Sequence, residues 1–234
     1  MFRDKRIIYG LLIVLGIYTI AMYLRSPMQL IGLLLTLPGV IIAITFHEFA
    51  HAFVADKLGD DTPRRQGRFT LNPLAHIDPI GFLCCALFGC GWAKPVEINP
   101  LKFRNYKSGI FKVSIAGVTA NLILSFLGCM LLHLTYRVGV YANWFCHFLY
   151  YFSMFLYYIN LSLFVFNLLP IYPLDGFNCI TAYAKYENGY VRFMRKYGFI
   201  ILLLVLTIGD TLLFTLVNWV GVPMELFWGW VFGI

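Results

Sequence analysis

Long apolar runs dominate this chain and fix what it can become. About twenty consecutive apolar residues are enough to cross a bilayer as a helix. Such runs occur at about 7–24, 28–57, 108–136, 144–169 and 197–220. Only 12% of the residues are charged, against about a quarter in a soluble domain. The sequence therefore predicts an all-α polytopic membrane protein with about five to six transmembrane helices. The start "MFRDKR" looks like a signal-peptide n-region, but no small-x-small cleavage site follows, so 7–24 is read as a retained span. The Trp-rich tail "VPMELFWGWVFGI" reads as an interfacial segment.

Basic residues orient these spans. With alternating passes, only Arg25 and Arg137 of the 18 Lys and Arg fall on one side. The crowded side is then cytoplasmic, which predicts a multi-pass protein of the cell membrane. The net charge of +7 is spent on topology. It excludes little by itself, but no soluble basic face is present to suit a nucleic-acid partner. The six cysteines, Cys84, Cys85, Cys90, Cys129, Cys146 and Cys179, lie mostly in apolar runs and show no disulfide spacing.

Residues 64–107 differ from the rest. Gly, Pro and Asn punctuate short runs there, which favours hairpins and loops over helix. The stretch "PIGFLCCALFGCGW" is too apolar for a solvated loop and too short to span. It predicts a β-hairpin or re-entrant loop region on the cytoplasmic side. No repeat or linker divides the chain, so 1–234 reads as one domain with its core at 28–180.

Chemistry enters with "HEFAH" at 47–51, near the inner end of the second run. Ionisable groups at membrane depth are expensive and mark function. His47 and His51 are four apart, so a helix puts both imidazoles on one face. That suits Zn²⁺, which favours nitrogen ligands. Glu48 is one step round the helix, placed to take a proton from water that the ion activates. A catalytic zinc wants a third protein ligand. Asp175, in "NLLPIYPLDGF", ends the fourth run on the same side as "HEFAH". Pro170 and Pro173 break the helix there. Asp210, His76 and Asp78 are rivals or neighbours of the site, with turn chemistry the plain alternative for "HIDP". His133 and His147 sit at the far ends of their runs. Asn121 either packs helices or donates a hydrogen bond to a scissile carbonyl. Asn160 and Asn167 are further amides that need partners in hydrocarbon.

Three motifs, "HEFAH", "GVTAN" at 117–121 and "NLLPIYPLDG" at 167–176, resemble those of the site-2 protease family of intramembrane zinc metalloproteases. The bridging stretches "GRFTLNPLAHIDPIG" and "GWAKPVEINP" are similar to its small bacterial branch, and the likeness covers about residues 30–180. The resemblance implies one Zn²⁺ per chain held by His47, His51 and Asp175, with Glu48 as general base. Asn121 matches the asparagine near the family's site, and Asn167 the one opening its third motif. It implies a membrane-spanning helix as substrate, cut in or near the bilayer, while the basic-residue distribution puts the active site toward the cytoplasmic side. Val118 departs from the proline common after the glycine, and Phe177 replaces the second glycine of the third motif. No PDZ-like or nucleotide-binding regulatory domain is expected. The alternative is a zinc carrier or channel, or a catalytically silent membrane scaffold, using the same ligands. Hydrolysis also needs an unwound substrate, for which an extended strand in 64–75 is the expected template.

Overall fold

The computed structural model describes residues 16–17, 21, 25–81, 93–184 and 188–234. The expected first span, at about 7–24, lies largely outside them. So does most of the apolar stretch at 79–92, with Cys84, Cys85 and Cys90. Seven α-helices are described: α1 (Pro27–Lys57), α2 (Thr62–Arg65), α3 (Tyr106–Val138), α4 (Trp144–Leu168), α5 (Asp175–Thr181), α6 (Gly189–Ile208) and α7 (Asp210–Phe232). Two short 3₁₀ turns, Pro73–Ala75 and Pro100–Lys102, lie in the connections.

Among the described residues, four segments are long and apolar enough to cross a membrane: Leu34–Lys57, Tyr106–Val138, Trp144–Leu168 and Asp210–Phe232. The first three coincide with expected runs. The run at 197–220 is corrected. Its helix is interrupted at Gly209, α7 begins at Asp210, and the supposed interfacial tail is helical to Phe232. A Cβ at Gly209 would lie 2.3 Å from the Val205 carbonyl oxygen. Hydropathy sees only an apolar stretch there, because Gly209 and Asp210 interrupt it by just two residues.

Caps set the helix starts. Asn105, Asn143 and Asn188 each accept a backbone N–H from the first turn of the helix that follows, satisfying donors that a helix otherwise leaves unpaired. The bundle is built on α3 and α4, with α1 and α7 packed against both. Without a hydrophobic drive between helices in lipid, small residues permit close packing. At Gly128 of α3 an added Cβ would come 2.7 Å from the Tyr157 backbone nitrogen of α4. Cys129, Tyr157 and Leu161 form one buried cluster, covered by Val217, Val220, Met224 and Trp228 of α7.

Between α1 and α3 the described chain contains no strand. Residues expected in a hairpin at 64–75 instead enter α2, a loop and a 3₁₀ turn. The one pairing of strand type among the described residues is an antiparallel bridge between Ile77 and Ala93. Pro63 and Pro73, each in the first turn of a helical segment, fit a position where the missing N–H costs nothing and a paired strand does not.

This loop layer is strapped to the end of α1. Asp60, fully buried, accepts N–H groups from Thr62 at 3.0 Å and Asn99 at 2.6 Å. Lys102 Nζ reaches Asp61 at 2.7 Å and Asp60 at 3.6 Å. Arg64 forks onto Asp56 through two bonds of 2.9 Å. Burial pushes the Asp60 carboxyl up, but the hydrogen bonds from Thr62 and Asn99 and the charge of Lys102 outweigh it, so its pKa is lowered overall. Hydrogen bonds from Arg65 and Lys102 hold Asp61 well below the usual carboxylate range.

Folded-state pKa values below the unfolded ones stabilise the strap above the ordinary carboxylate pKa, and that contribution fades as pH falls through the folded values. The protection of amides in residues 94–104, relative to their intrinsic exchange rates, is therefore expected to be flat between about pH 7 and pH 5 and to fall below about pH 4. Asp60→Ala leaves the part-buried N–H groups of Thr62 and Asn99 unpaired. It is expected to cost about 1–3 kcal/mol, read as a lowered unfolding midpoint in detergent.

Candidate metal centre

Three side chains converge where α1, α3 and α5 meet. His47 Nε2 and His51 Nε2 are 3.0 Å apart. Asp175 Oδ2 lies 3.2 Å from the first and 3.3 Å from the second. Among the described residues no other group of three His, Cys, Asp or Glu meets the geometry of a metal site.

The outer ring nitrogens decide the chemistry of the inner ones. His47 Nδ1 is 2.6 Å from Asn121 Oδ1, and His51 Nδ1 is 2.7 Å from the Val113 carbonyl oxygen. Both partners only accept, so both Nδ1 atoms carry the proton and donate. In the neutral rings both Nε2 atoms then present lone pairs. An imidazolium paired with Asp175 would also explain the histidine–carboxylate distances. Two imidazolium rings this close would repel, so at least one Nε2 keeps its lone pair in either case. Asp175 Oδ2 is buried without a hydrogen-bond partner. With both rings neutral, three electron-pair donors face one point, an arrangement that fits a cation. A tetrahedral zinc with bonds of about 2.0–2.2 Å separates its ligands by roughly 3.3–3.5 Å, close to the triangle found here.

Close helix approach makes the cluster possible. A Cβ at Gly117 of α3 would sit 2.4 Å from His51 Nε2 and 2.6 Å from His47 Cε1. Gly176 does the same work for the third ligand. Its Cβ would fall 2.2 Å from the Leu168 carbonyl oxygen, so only glycine lets the start of α5 press against the end of α4. The sequence suggests a tight turn at Gly176; its backbone is helical, and close packing is the operative reason.

Asn121 is fully buried, and its amide is fully used. Oδ1 accepts from His47, while Nδ2 donates to the Ala43 carbonyl at 3.3 Å and to Asn160 Oδ1 at 3.0 Å. No N–H is left for a scissile carbonyl. The donor role weighed for Asn121 is therefore corrected to that of a residue orienting His47. Asn160, also fully buried, donates onward to the Leu156 carbonyl at 2.8 Å. This chain fixes which way the Asn121 amide faces. From sequence, Asn160 is only an amide in need of a partner, because its neighbour is 39 residues away. Val118, buried beside Gly117, does not interrupt α3.

Glu48 is 8% exposed, and its Oε2 accepts the Val96 N–H at 2.9 Å. Val96 belongs to the segment 94–99, which has no regular secondary structure, and its backbone touches Glu48. His76 and Asp78 occupy the loop layer in turn roles. His76 is bound to the Thr70 carbonyl oxygen through Nε2 at 2.8 Å, and Asp78 caps the Gly81 N–H at 2.8 Å. Asn167 bonds back to the Leu163 carbonyl of its own helix at 3.0 Å. Asp210 is exposed at the start of α7, where a negative charge complements the helix dipole.

A His–His–Asp centre with a carboxylate on the adjacent helical position, set among apolar helices, defines the class as a membrane zinc metalloprotease. The comparisons with known proteins agree. The chain is 39% identical over 205 residues to "Putative zinc metalloprotease YwhC" of Bacillus subtilis, covering 84% of this chain and 90% of that protein. "Putative zinc metalloprotease Rip2" of Mycobacterium tuberculosis is 28% identical over 198 residues, 80% of this chain and 72% of the relative. The Rip2 of Mycolicibacterium smegmatis is 32% identical over 107 residues, 43% of this chain and 41% of the relative. No family model matches, and no solved structure is similar. The chain belongs to the site-2 protease family of zinc metalloproteases.

Because Asn121 sets the His47 tautomer, Asn121→Ala is expected to weaken zinc binding about 10- to 100-fold, measured by chelator competition. Gly117→Ala drives a methyl group into both imidazoles and is expected to abolish stoichiometric zinc while leaving helix content unchanged. Gly189→Ala, where an added Cβ meets nothing within 4 Å, is expected to leave zinc content at the wild-type level.

Proposed function

We propose that this protein is an intramembrane endopeptidase that hydrolyses a peptide bond in or near a transmembrane helix of a membrane-protein substrate. The observation that carries this reading is the placing of Glu48 beside the His47–His51–Asp175 triangle, with one carboxylate oxygen held and the other free. His47, His51 and Asp175 would hold the metal. Zinc, when bound, polarises the scissile carbonyl and makes water nucleophilic near neutral pH. The Val96 N–H fixes Oε2 of Glu48, and no hydrogen bond among the described residues engages Oε1. Oε1 takes the proton from the attacking water and passes it to the leaving amine nitrogen. Asn121 and Asn160 keep His47 in the tautomer that offers Nε2 inward.

The setting supports a substrate of the membrane. His47 and His51 both lie within the apolar segment Leu34–Lys57. From His47 to Lys57, the end of α1, is 10 residues, or roughly 15 Å of helix, which sets the centre at depth below the loop layer. The strapped connections at 58–81 and 93–105 form the wall on that side and border the route for water. A helical substrate has its carbonyls engaged in its own backbone bonds, so it unwinds before cleavage. We place this chemistry on the cytoplasmic side of the cell membrane, from the concentration of Lys and Arg in these connections.

Glu48→Gln tests the reading. The variant is expected to keep one zinc per chain and to lose cleavage by about 10²–10⁴-fold. Membrane-anchored fragments then accumulate relative to wild type in a membrane proteome. Unchanged fragment levels with zinc retained would refute the protease assignment and favour a carrier or scaffold, which has no use for a base at this position.

A further inference from the structure

A second polar site lies in the bundle away from the metal. Between α3, α4 and α7 there is a cavity of about 450 Å³, bordered by His133, Tyr136, Tyr150, Tyr158 and Glu225. His133 is 12 residues beyond Asn121 on α3, roughly 18 Å along the helix. None of these residues takes part in the metal centre.

Glu225 is a carboxylate on a helix apolar enough to span, and such a group marks a site unless it is merely paired. It is only half paired. Its Oε1 accepts the hydroxyls of Tyr157 at 3.0 Å and Tyr158 at 3.4 Å. Oε2 makes no hydrogen bond among the described residues. On the facing helix, His133 Nδ1 donates to the Cys129 carbonyl oxygen at 2.9 Å. That fixes the tautomer and leaves Nε2 with a free lone pair, in a direction where Gly229 has no side chain to block it. A carboxylate oxygen, an imidazole lone pair and tyrosine rings all attract a cation with N–H groups. No Lys or Arg borders the cavity. A divalent metal is poorly served, since only two ligand side chains are at hand and one carboxylate oxygen is already engaged.

The rest of the wall describes what carries the cation. The hydroxyls of Tyr136 and Tyr150 form no hydrogen bond among the described residues, so both remain as donors to an anionic oxygen. Val222 and Leu226 border the opening and are 47% and 68% exposed. In a spanning helix, exposed apolar residues face lipid tails. We propose that this cavity binds the headgroup of an ethanolamine phospholipid. Glu225 and His133 receive the primary ammonium, Tyr136 and Tyr150 face the phosphate, and the acyl chains run along Val222 and Leu226.

The full chain, delipidated in detergent and exchanged into phosphatidylcholine vesicles with added phosphatidylethanolamine or phosphatidylglycerol, tests this by native mass spectrometry of retained lipid. Wild type is expected to keep one phosphatidylethanolamine per chain, at least about tenfold over the other two. N-methylated headgroups are expected to be held progressively more weakly, because each methyl removes an N–H donor. Glu225→Gln, which still accepts both tyrosine hydroxyls, and His133→Phe, which keeps the ring, are each expected to lower retention about tenfold. Zinc content should stay at wild-type level in both. If one variant fails to hold zinc, the other decides. Equal retention of phosphatidylethanolamine by wild type and variant overturns the proposal. So does equal retention of phosphatidylcholine. Binding of a lysine-bearing transmembrane peptide or a divalent ion, with no preference for ethanolamine lipid, overturns it in favour of that ligand.

Discussion

Everything at the metal centre depends on how closely α3 approaches α1. At Gly117 the two helices are near enough that any Cβ would strike the imidazoles. This proximity lets the Val113 carbonyl reach His51 and Asn121 reach His47. Those two bonds turn both rings so that their second nitrogens face each other and Asp175. The electrostatic consequence is a concentrated patch of lone pairs in an apolar setting. It is tolerable only because a dication is worth more there than the repulsion costs.

The polar residues beside the metal centre form a connected chain rather than isolated tolerances. His47, Asn121, Asn160 and the Leu156 carbonyl are linked in sequence. In hydrocarbon, a polar group without a partner carries its full desolvation cost. Each amide in this chain is therefore bound at both ends, and its direction is set. The chain spans α1, α3 and α4, so the ligand geometry is tied to the packing of the whole bundle. Tyr157 and Glu225 make a second connection of this kind between α4 and α7, remote from the metal and only partly satisfied.

The loop layer ties depth to chemistry. Asp60 and Lys102 fasten the 99–104 stretch to the end of α1, and Val96 of the same connection donates to Glu48. A segment anchored at the aqueous end thus reaches down to the base. Its contact with Glu48 is through the backbone, so side-chain identity at Val96 contributes nothing to that bond. Shape and anchoring carry it instead.

The sequence alone pointed to the membrane class, three of the four candidate spans among the described residues, the paired histidines and Asp175 as the favoured third ligand. Their signals are local: an apolar run of about twenty residues, a four-residue histidine spacing, and a carboxylate where prolines stop a helix. The roles of Asn121 and Asn160 were not legible, because an amide has both donors and an acceptor, and only its neighbours decide which are free. The reason for Gly117 and Gly176 was equally hidden, since a missing Cβ matters only when another chain segment occupies its place. Gly209 and Asp210 broke a run that hydropathy read as continuous. The expected strand at 64–75 gave way to short helical turns and loops, and the backbone of Val96 lies beside Glu48. Spacing along one helix fixes what a residue can do; partners 39 and 74 positions away fix what it does, because hydrogen bonds and close contacts are made in space rather than along the chain.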